Sequence, residues 1–318
     1  MTTDVFADKS TNVRAFDARS TRKQSERILV QPVRTGLRAL TTISPKLSAR
    51  VVQHIFSAPR RPKRPDWEKV LLAKAHPFPV VFGANVVRAW CWGSGPTIVL
   101  MHGWEGRGGQ IGTFVEPLVD AGFRVVAFDA PAHGDSTGHL ATAVDFAMAL
   151  RAVSDWVGDV QAVIAHSMGA LATTIALHQG LALEKIVFIG APESPKGATD
   201  MLARILDLPP SVLRLLQKRL ATMLNTTWEA LTDGSYLDEL DVPLLILHDR
   251  MDKDVPWSAA VKLSERWKRS ELVLTEGLGH RRILKDPEVI AKAVDFLRPL
   301  ADRPPPNPWP ALQIDLAP

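Results

Sequence analysis

The residues best equipped for chemistry in this 318-residue chain are a serine at a bend, one late histidine and a cluster of aspartates. Ser167 stands in Ala165-His166-Ser167-Met168-Gly169, between an apolar run at 160–164 and a small-residue stretch at 170–177. The first reads as a short buried strand and the second has helical spacing, so the serine falls on a strand-to-helix turn that exposes its hydroxyl. Strand and helix approach closely at such a turn, which calls for small residues on both sides; Ala165 and Gly169 supply them. A serine hydroxyl is a poor nucleophile at its ordinary pKa and needs a base within hydrogen-bond reach and an acid to orient that base. Nine histidines could serve. His102 and His133 lie in turns, His166 flanks the serine, His54, His76, His139 and His178 fall on expected helices or loops far from strand ends, and His248 lies within an Asp-rich loop. His280, in Glu276-Gly277-Leu278-Gly279-His280, sits on a glycine-flanked loop just past the last expected strand, 271–275. Asp249, Asp252 and Asp254 compete as the acid.

The elements that must position these groups are legible as an alternation. Apolar runs at 98–101, 123–128, 160–164, 185–192, 242–247 and 271–275 alternate with helical patterns, among them 111–121 and 141–157. That order implies a parallel sheet with helices on both faces. Two earlier strands, near 78–82 and 86–92, flank Gly83-Ala84-Asn85 and form an antiparallel pair. Between 192 and 242 the connection is too long for a simple crossover and carries Leu213, Leu216, Leu220 and Leu224 at helical spacing. Upstream, Ser44 and Pro45 mark a helix start, with Leu47, Val51 and Ile55 along one face, and a short helix follows near 66–74. Residues 1–36 are polar and aperiodic and are expected to be disordered; 37–77 form an N-terminal helical segment, 78–302 the main domain, and 303–318, with six prolines, an extended tail.

With His102-Gly103-Trp104 after one strand, Asp129-Ala130-Pro131-Ala132-His133-Gly134-Asp135-Ser136 after the next, the serine turn, and Gly277-Leu278-Gly279-His280 near the end, the chain resembles the α/β-hydrolase family over roughly 78–300. The resemblance implies an α/β fold, with a mostly parallel eight-stranded sheet and a helical cap at about 193–241. It places the base at His280. It places the acid four residues before the proline of Val255-Pro256, at Asp252, leaving Asp249 too close to its strand and Asp254 facing solvent beside Lys253. It assigns the oxyanion-stabilising N–H groups to Trp104 and Met168. Relatives that open epoxides or remove halogens carry aspartate at the bend, so Ser167 excludes both. The implied activity is a cofactor-independent serine hydrolase of carboxylic esters or thioesters, acting through an acyl-enzyme on substrates with an apolar acyl group set by the cap. Acyl transfer by the same residues, or ligand binding without catalysis, are the alternatives.

The chain shows no phosphate-binding loop, dinucleotide fingerprint or Cys/His cluster of zinc spacing, so neither cofactor nor metal is expected. Its single cysteine, Cys91, excludes an internal disulfide and reads as a buried thiol; with neither a secretory leader nor a membrane-length apolar run in view, a cytoplasmic location is expected. Residues 1–66 hold 14 Lys/Arg against 5 Asp/Glu, although the whole chain carries only +4, so the remainder is acidic. Within that basic extension, Arg60-Arg61-Pro62-Lys63-Arg64-Pro65 reads as a solvated linker, with contact to an anionic membrane surface as the alternative. Nucleic acid is not an expected partner, because no aromatic interleaving or binding motif accompanies the charge. Oligomeric state is not legible.

Overall fold

A computed structural model describes residues 18–302, with side chains from Gln31 onward; residues 1–17 and the Pro-rich tail 303–318 lie outside the described residues. Strands β1 (His76–Phe82), β2 (Asn85–Trp92), β3 (Thr97–Met101), β4 (Arg124–Phe128), β5 (Val160–His166), β6 (Lys185–Ile189), β7 (Leu244–Asp249) and β8 (Ser270–Thr275) form one sheet in the order β1-β2-β4-β3-β5-β6-β7-β8. β2 pairs antiparallel with β1 and β4, and the remaining pairs are parallel. Period-two alternation sends successive side chains to opposite faces. Val99 and Met101, Val163 and Ala165, and Leu244 and Ile246 enter one core cluster; Ile98 and Leu100, Ala162 and Ile164, and Leu245 and Leu247 enter the other. Both faces are covered, which is why the central strands read as unbroken apolar runs.

Three N-terminal helices precede the sheet: α1 (Ala18–Ile43), α2 (Pro45–Ser57) and α3 (Asp66–Ala73). The helix expected at 111–121 is a 3-10 turn, Gly108–Phe114, followed by α4 (Val115–Asp120). α5 (Ala143–Val157) starts on a capping box between Thr142 and Asp145, and α6 (Met168–His178) follows β5. The long connection after β6 carries α7 (Lys196–Leu206), α8 (Pro210–Met223) and α9 (Trp228–Thr232); α10 (Trp257–Arg266), α11 (Gly279–Arg282) and α12 (Pro287–Leu297) complete the chain. Among the described residues, no helix is long and apolar enough to cross a membrane.

The N-terminal extension departs from the sequence reading in three ways. Helix α1 already runs from Ala18, where order was expected only near Ser44, because Leu37 is buried against the insertion and Arg34 Nε donates to Ile205 O at 2.9 Å. In α2, Ser44 caps the helix by accepting the Leu47 N–H, as expected, but the buried residues are Ser48, Ala49, Val52 and Ser57. Leu47, Val51 and Ile55 are 45%, 37% and 38% exposed, so the expected stripe is not the packed face. The small row packs instead: Ala49 and Val52 join Leu37, Leu206, Val212 and Leu216 in a third core cluster shared by α1, α2, α7 and α8. Part of the leucine face of the insertion is therefore covered by the N-terminal helices, with Leu216 buried and Leu220 packed beside it, while Leu224 packs against the first core cluster. The third departure concerns the basic segment after α2, which is docked on the body. Arg61 donates to the carbonyls of Gly134 and Gly138, and Arg64 contacts Asp129, Asp135 and Glu68. Glu68 in turn takes two hydrogen bonds from buried Arg107, at 2.6 and 2.7 Å.

Candidate active site

β5 leads into Ser167 and α6 leads away, and the turn between them holds Ser167 at φ +52° and ψ −118°. Side-chain-bearing residues rarely adopt such a backbone, which stores on the order of 1–3 kcal/mol that the surrounding fold must supply. Part of the restraint is the Ser167 N–H, which donates to Ile189 O on the adjacent β6 at 2.9 Å. α6 can depart so sharply because Gly169 lies against the end of β3, where a Cβ would stand 2.7 Å from His102 O and 2.8 Å from Met101 O. The small residue required by the sequence pattern is thus a steric necessity.

The loop after β3 closes on the serine. His102 Nε2 accepts the Ala130 N–H at 2.9 Å, so its Nδ1–H donates to Gly103 O at 2.7 Å, and the buried ring ties this loop to the one after β4. Gly103 through Gly106 form a turn closed by the Gly106 N–H on Gly103 O at 3.0 Å. Gly103 comes so close to Ser167 that a Cβ there would lie 3.0 Å from Ser167 Cβ. The Trp104 ring packs edge-on to His133 at 5.0 Å and stacks with Phe146 at 6.4 Å. Among the described residues, neither the Trp104 nor the Met168 N–H is engaged by a backbone acceptor, so two donors remain available beside Ser167.

His280, in α11, donates through Nδ1–H to Asp252 Oδ2 at 2.7 Å, which leaves Nε2 as the acceptor of the ring. The pair sits over Gly190, at φ +58°, where a Cβ would crowd His280 Nδ1 at 3.2 Å and Asp252 Oδ2 at 3.5 Å. Burial alone would raise the Asp252 pKa. The hydrogen bond and charge of His280, with the N–H groups of Val255 and Asp254 on Oδ1, outweigh burial and hold the carboxyl below its ordinary value. Ser167 Oγ makes no hydrogen bond among the described residues. Its proximity to His280 is carried by its neighbours: Gly190, beneath His280, follows the residue that binds the Ser167 N–H, and the rings of His166 and His280 are 4.6 Å apart. Unliganded sites often hold this bond slack.

Three residues that the sequence reading considered and set aside support the site. His166 Nε2–H donates to the His280 carbonyl at 2.8 Å, so the residue before Ser167 anchors the loop of His280; burial pushes its pKa down to about 3 and keeps the ring neutral. Asp249 accepts from Met251 N–H and Gly279 N–H on one oxygen and from Thr275 Oγ1–H and Leu278 N–H on the other, all within 2.9 Å. Burial acts to raise its pKa, but these four donors hold it low. The aspartate set aside as an acid candidate thus fastens the end of β7 to the turn that carries His280; the signal for this was its position at the end of a strand. His248, expected just after that strand, is buried inside β7, donates to Val255 O at 3.0 Å and lies 3.5 Å from Asp252 Oδ2. Asp254 is exposed, as expected. Among the described residues, no group of His, Cys, Asp and Glu is arranged to hold a metal ion.

Residues 98–293 match the model of the family described as the alpha/beta hydrolase family. The chain is 26% identical over 246 residues to a pimeloyl-[acyl-carrier protein] methyl ester esterase of Nitrosomonas europaea, a match covering 64% of this chain and 96% of that protein. The esterase of the same description from Vibrio vulnificus strain CMCP6 is 33% identical over 143 residues, 43% of this chain and about half (51%) of the relative. Among solved structures, the Pyrococcus furiosus esterase Pf2001 superposes with a TM-score of 0.59 at 21% identity, covering 76% of this chain and 98% of that one, a likeness of fold.

Proposed function

The chain belongs to the alpha/beta hydrolase family, and on that premise we propose that it hydrolyses carboxylic esters through an acyl-enzyme on Ser167. The observation that carries this reading is the 2.7 Å His280–Asp252 hydrogen bond at the edge of the sheet where the strained turn presents Ser167. Ser167 Oγ attacks the ester carbonyl while His280 Nε2 takes its proton. Asp252 fixes the tautomer with the proton on Nδ1 and stabilises the imidazolium that forms. The Trp104 and Met168 N–H groups bind the tetrahedral oxyanion. Collapse expels the alcohol, which receives the proton from His280; water then repeats the sequence on the acyl-enzyme, returning the free acid and Ser167. No cofactor enters these steps. Relatives named for a methyl ester support an ester leaving group of this simple kind, and the apolar rings of Trp104 and Phe146 support an acyl group of apolar character. A cytoplasmic setting belongs to the same proposal, resting on a lone buried cysteine.

The test is a serine-reactive phosphonate together with steady-state hydrolysis of p-nitrophenyl esters by the wild type and Ser167→Ala. The variant should lose labelling and fall by on the order of 10³-fold or more in kcat while keeping its Tm, since the hydroxyl makes no structural hydrogen bond. Label on a different serine, or retained turnover, would refute the assignment.

A further inference from the structure

We infer that Arg60, in the basic segment joining α2 to α3, is a positioning residue that holds the Gly103–Gly106 turn, and with it the Trp104 N–H, in place beside Ser167. The inference rests on the serine hydrolase reading and extends it to a part of the chain that precedes the catalytic body. Trp104 and Glu105 occupy the two central positions of the turn, and Glu105 has φ +54°. The second central position of a turn with positive φ is one that Gly or Asn fills at low cost; a glutamate there tends to relax unless its surroundings hold it. The side chain of Glu105 is where the holding occurs. Its carboxylate accepts Arg60 Nε–H at 2.9 and 3.0 Å, Arg60 Nη2–H at 2.7 Å and the Arg60 backbone N–H at 3.2 Å. This forked guanidinium geometry fixes direction as well as distance, which a point charge does not.

Arg60 can act as an anchor because the segment around it is itself pinned. Before it, Ser57 O accepts the Ala141 N–H at 2.8 Å. After it, Arg61 holds the carbonyls of Gly134 and Gly138, in the turn whose His133 packs against the Trp104 ring, and Arg64 reaches Asp129. One short strap therefore grips both the turn that offers the N–H and the turn that backs its indole. Glu105 also feels the charge of Arg281, the residue after His280. The Arg60 side chain is 83% exposed, whereas that of Glu105 is 17% exposed.

The experiment uses the full chain as wild type, Arg60→Ala, Glu105→Gln and the double variant, assayed on p-nitrophenyl butyrate with Tm measured in parallel. A misplacement of about 1 Å at a reacting group costs up to ~100-fold, so a loosened turn should lower kcat by roughly 10-fold, with KM within about twofold and Tm unchanged. The losses should not add: the double variant should be no slower than the slower single one, because both remove the same clamp. One molar salt should depress kcat of the wild type toward that of Arg60→Ala and leave that variant unaffected. Wild-type kcat in Arg60→Ala, additive losses, or a fall in Tm matching the fall in rate overturns the inference alone. A wild type that hydrolyses no ester overturns the hydrolase reading and this inference with it.

Discussion

Acid should unfold this protein earlier than its carboxylates alone would require, because buried histidines around the site are held neutral, His102, His133 and His166 together with His248. His102, His133 and His166 are 1%, 0% and 4% exposed. Burial, the largest influence on each, pushes His133 down to about 4 and His166 down to about 3, and drives His102 well below its ordinary value. His133 shows the reason locally: its Nδ1–H donates to Pro131 O, while its Nε2 is buried without a partner and would face no acceptor if protonated. In the unfolded chain each ring titrates near 6.5. Between that value and the folded pKa the unfolded state binds more protons, so stability is fully present above about 6.5 and falls as the pH drops through the window down to about 3 to 4. Each ring contributes a slope approaching ~1.4 kcal/mol per pH unit, and from pH 7 to 5 each removes roughly 2 kcal/mol. Three such rings remove about 5–6 kcal/mol, a large share of the ~5–15 kcal/mol typical of a domain. Asp129, whose carboxyl burial pushes up, acts in the opposite sense. Thermal unfolding at constant ionic strength should show Tm falling by on the order of 10 °C between pH 7 and 5. His166→Gln, which keeps a donor for the His280 carbonyl, should reduce the slope by about one proton. A Tm that is flat from pH 7 to 5 would refute the argument that these rings stay neutral.

Other perturbations separate roles that the site brings close together. Asp252→Asn should cut kcat by on the order of 10⁴-fold by favouring the wrong imidazole tautomer while Tm stays near wild type. Asp249→Asn presents an amide N–H₂ to backbone donors on one side and should lower stability by about 1–3 kcal/mol, read as a Tm loss that precedes any loss of rate. Leu216→Ala, at a fully buried position of α8, should cost roughly 2–5 kcal/mol in urea denaturation if α1 and α2 belong to the folded unit. Deletion through residue 66 should lower Tm for the same reason. Sedimentation with anionic vesicles at low salt tests the alternative reading of the basic extension: with Arg60, Arg61 and Arg64 engaged by the body, little of the protein should pellet.

The strands were legible because a sheet covered on both faces leaves runs such as Ile98-Val99-Leu100-Met101 that only a buried strand explains. The serine turn was legible because close approach constrains its flanking residues, and the Gly169 contact with His102 O is that constraint in space. The packed face of α2 was not. Two rows run along that helix, a large one through Leu47, Val51 and Ile55 and a small one through Ser48, Ala49 and Val52. Periodicity marks a stripe without naming the partner. A second helix approaching closely selects the small row, and α8 does so here.

The basic segment misled for a related reason. Its charge reads as solvated when its acceptors lie far along the chain: Glu105 is 45 residues from Arg60, and Asp135 is 71 from Arg64. A charged run signals solvent only if nothing folds back to meet it. The same logic bears on specificity. Leucines of the insertion looked like the lining of an acyl pocket, yet Leu216 is buried against Leu37, Ala49 and Val52, with Leu220 beside it, so α1 and α2 occupy that part of the face, while Leu224 packs with the cluster that holds Trp104 and Met168. Beside Ser167 the apolar side chains are those of Trp104, backed by His133 and Phe146, and of Met168, with Leu224 of the insertion packed against the same cluster. Substitution of Trp104 by Ala should therefore shift the kcat/KM profile across p-nitrophenyl esters of increasing chain length more than Leu216→Ala does at a temperature where both are folded. The opposite ranking would return the acyl site to the insertion.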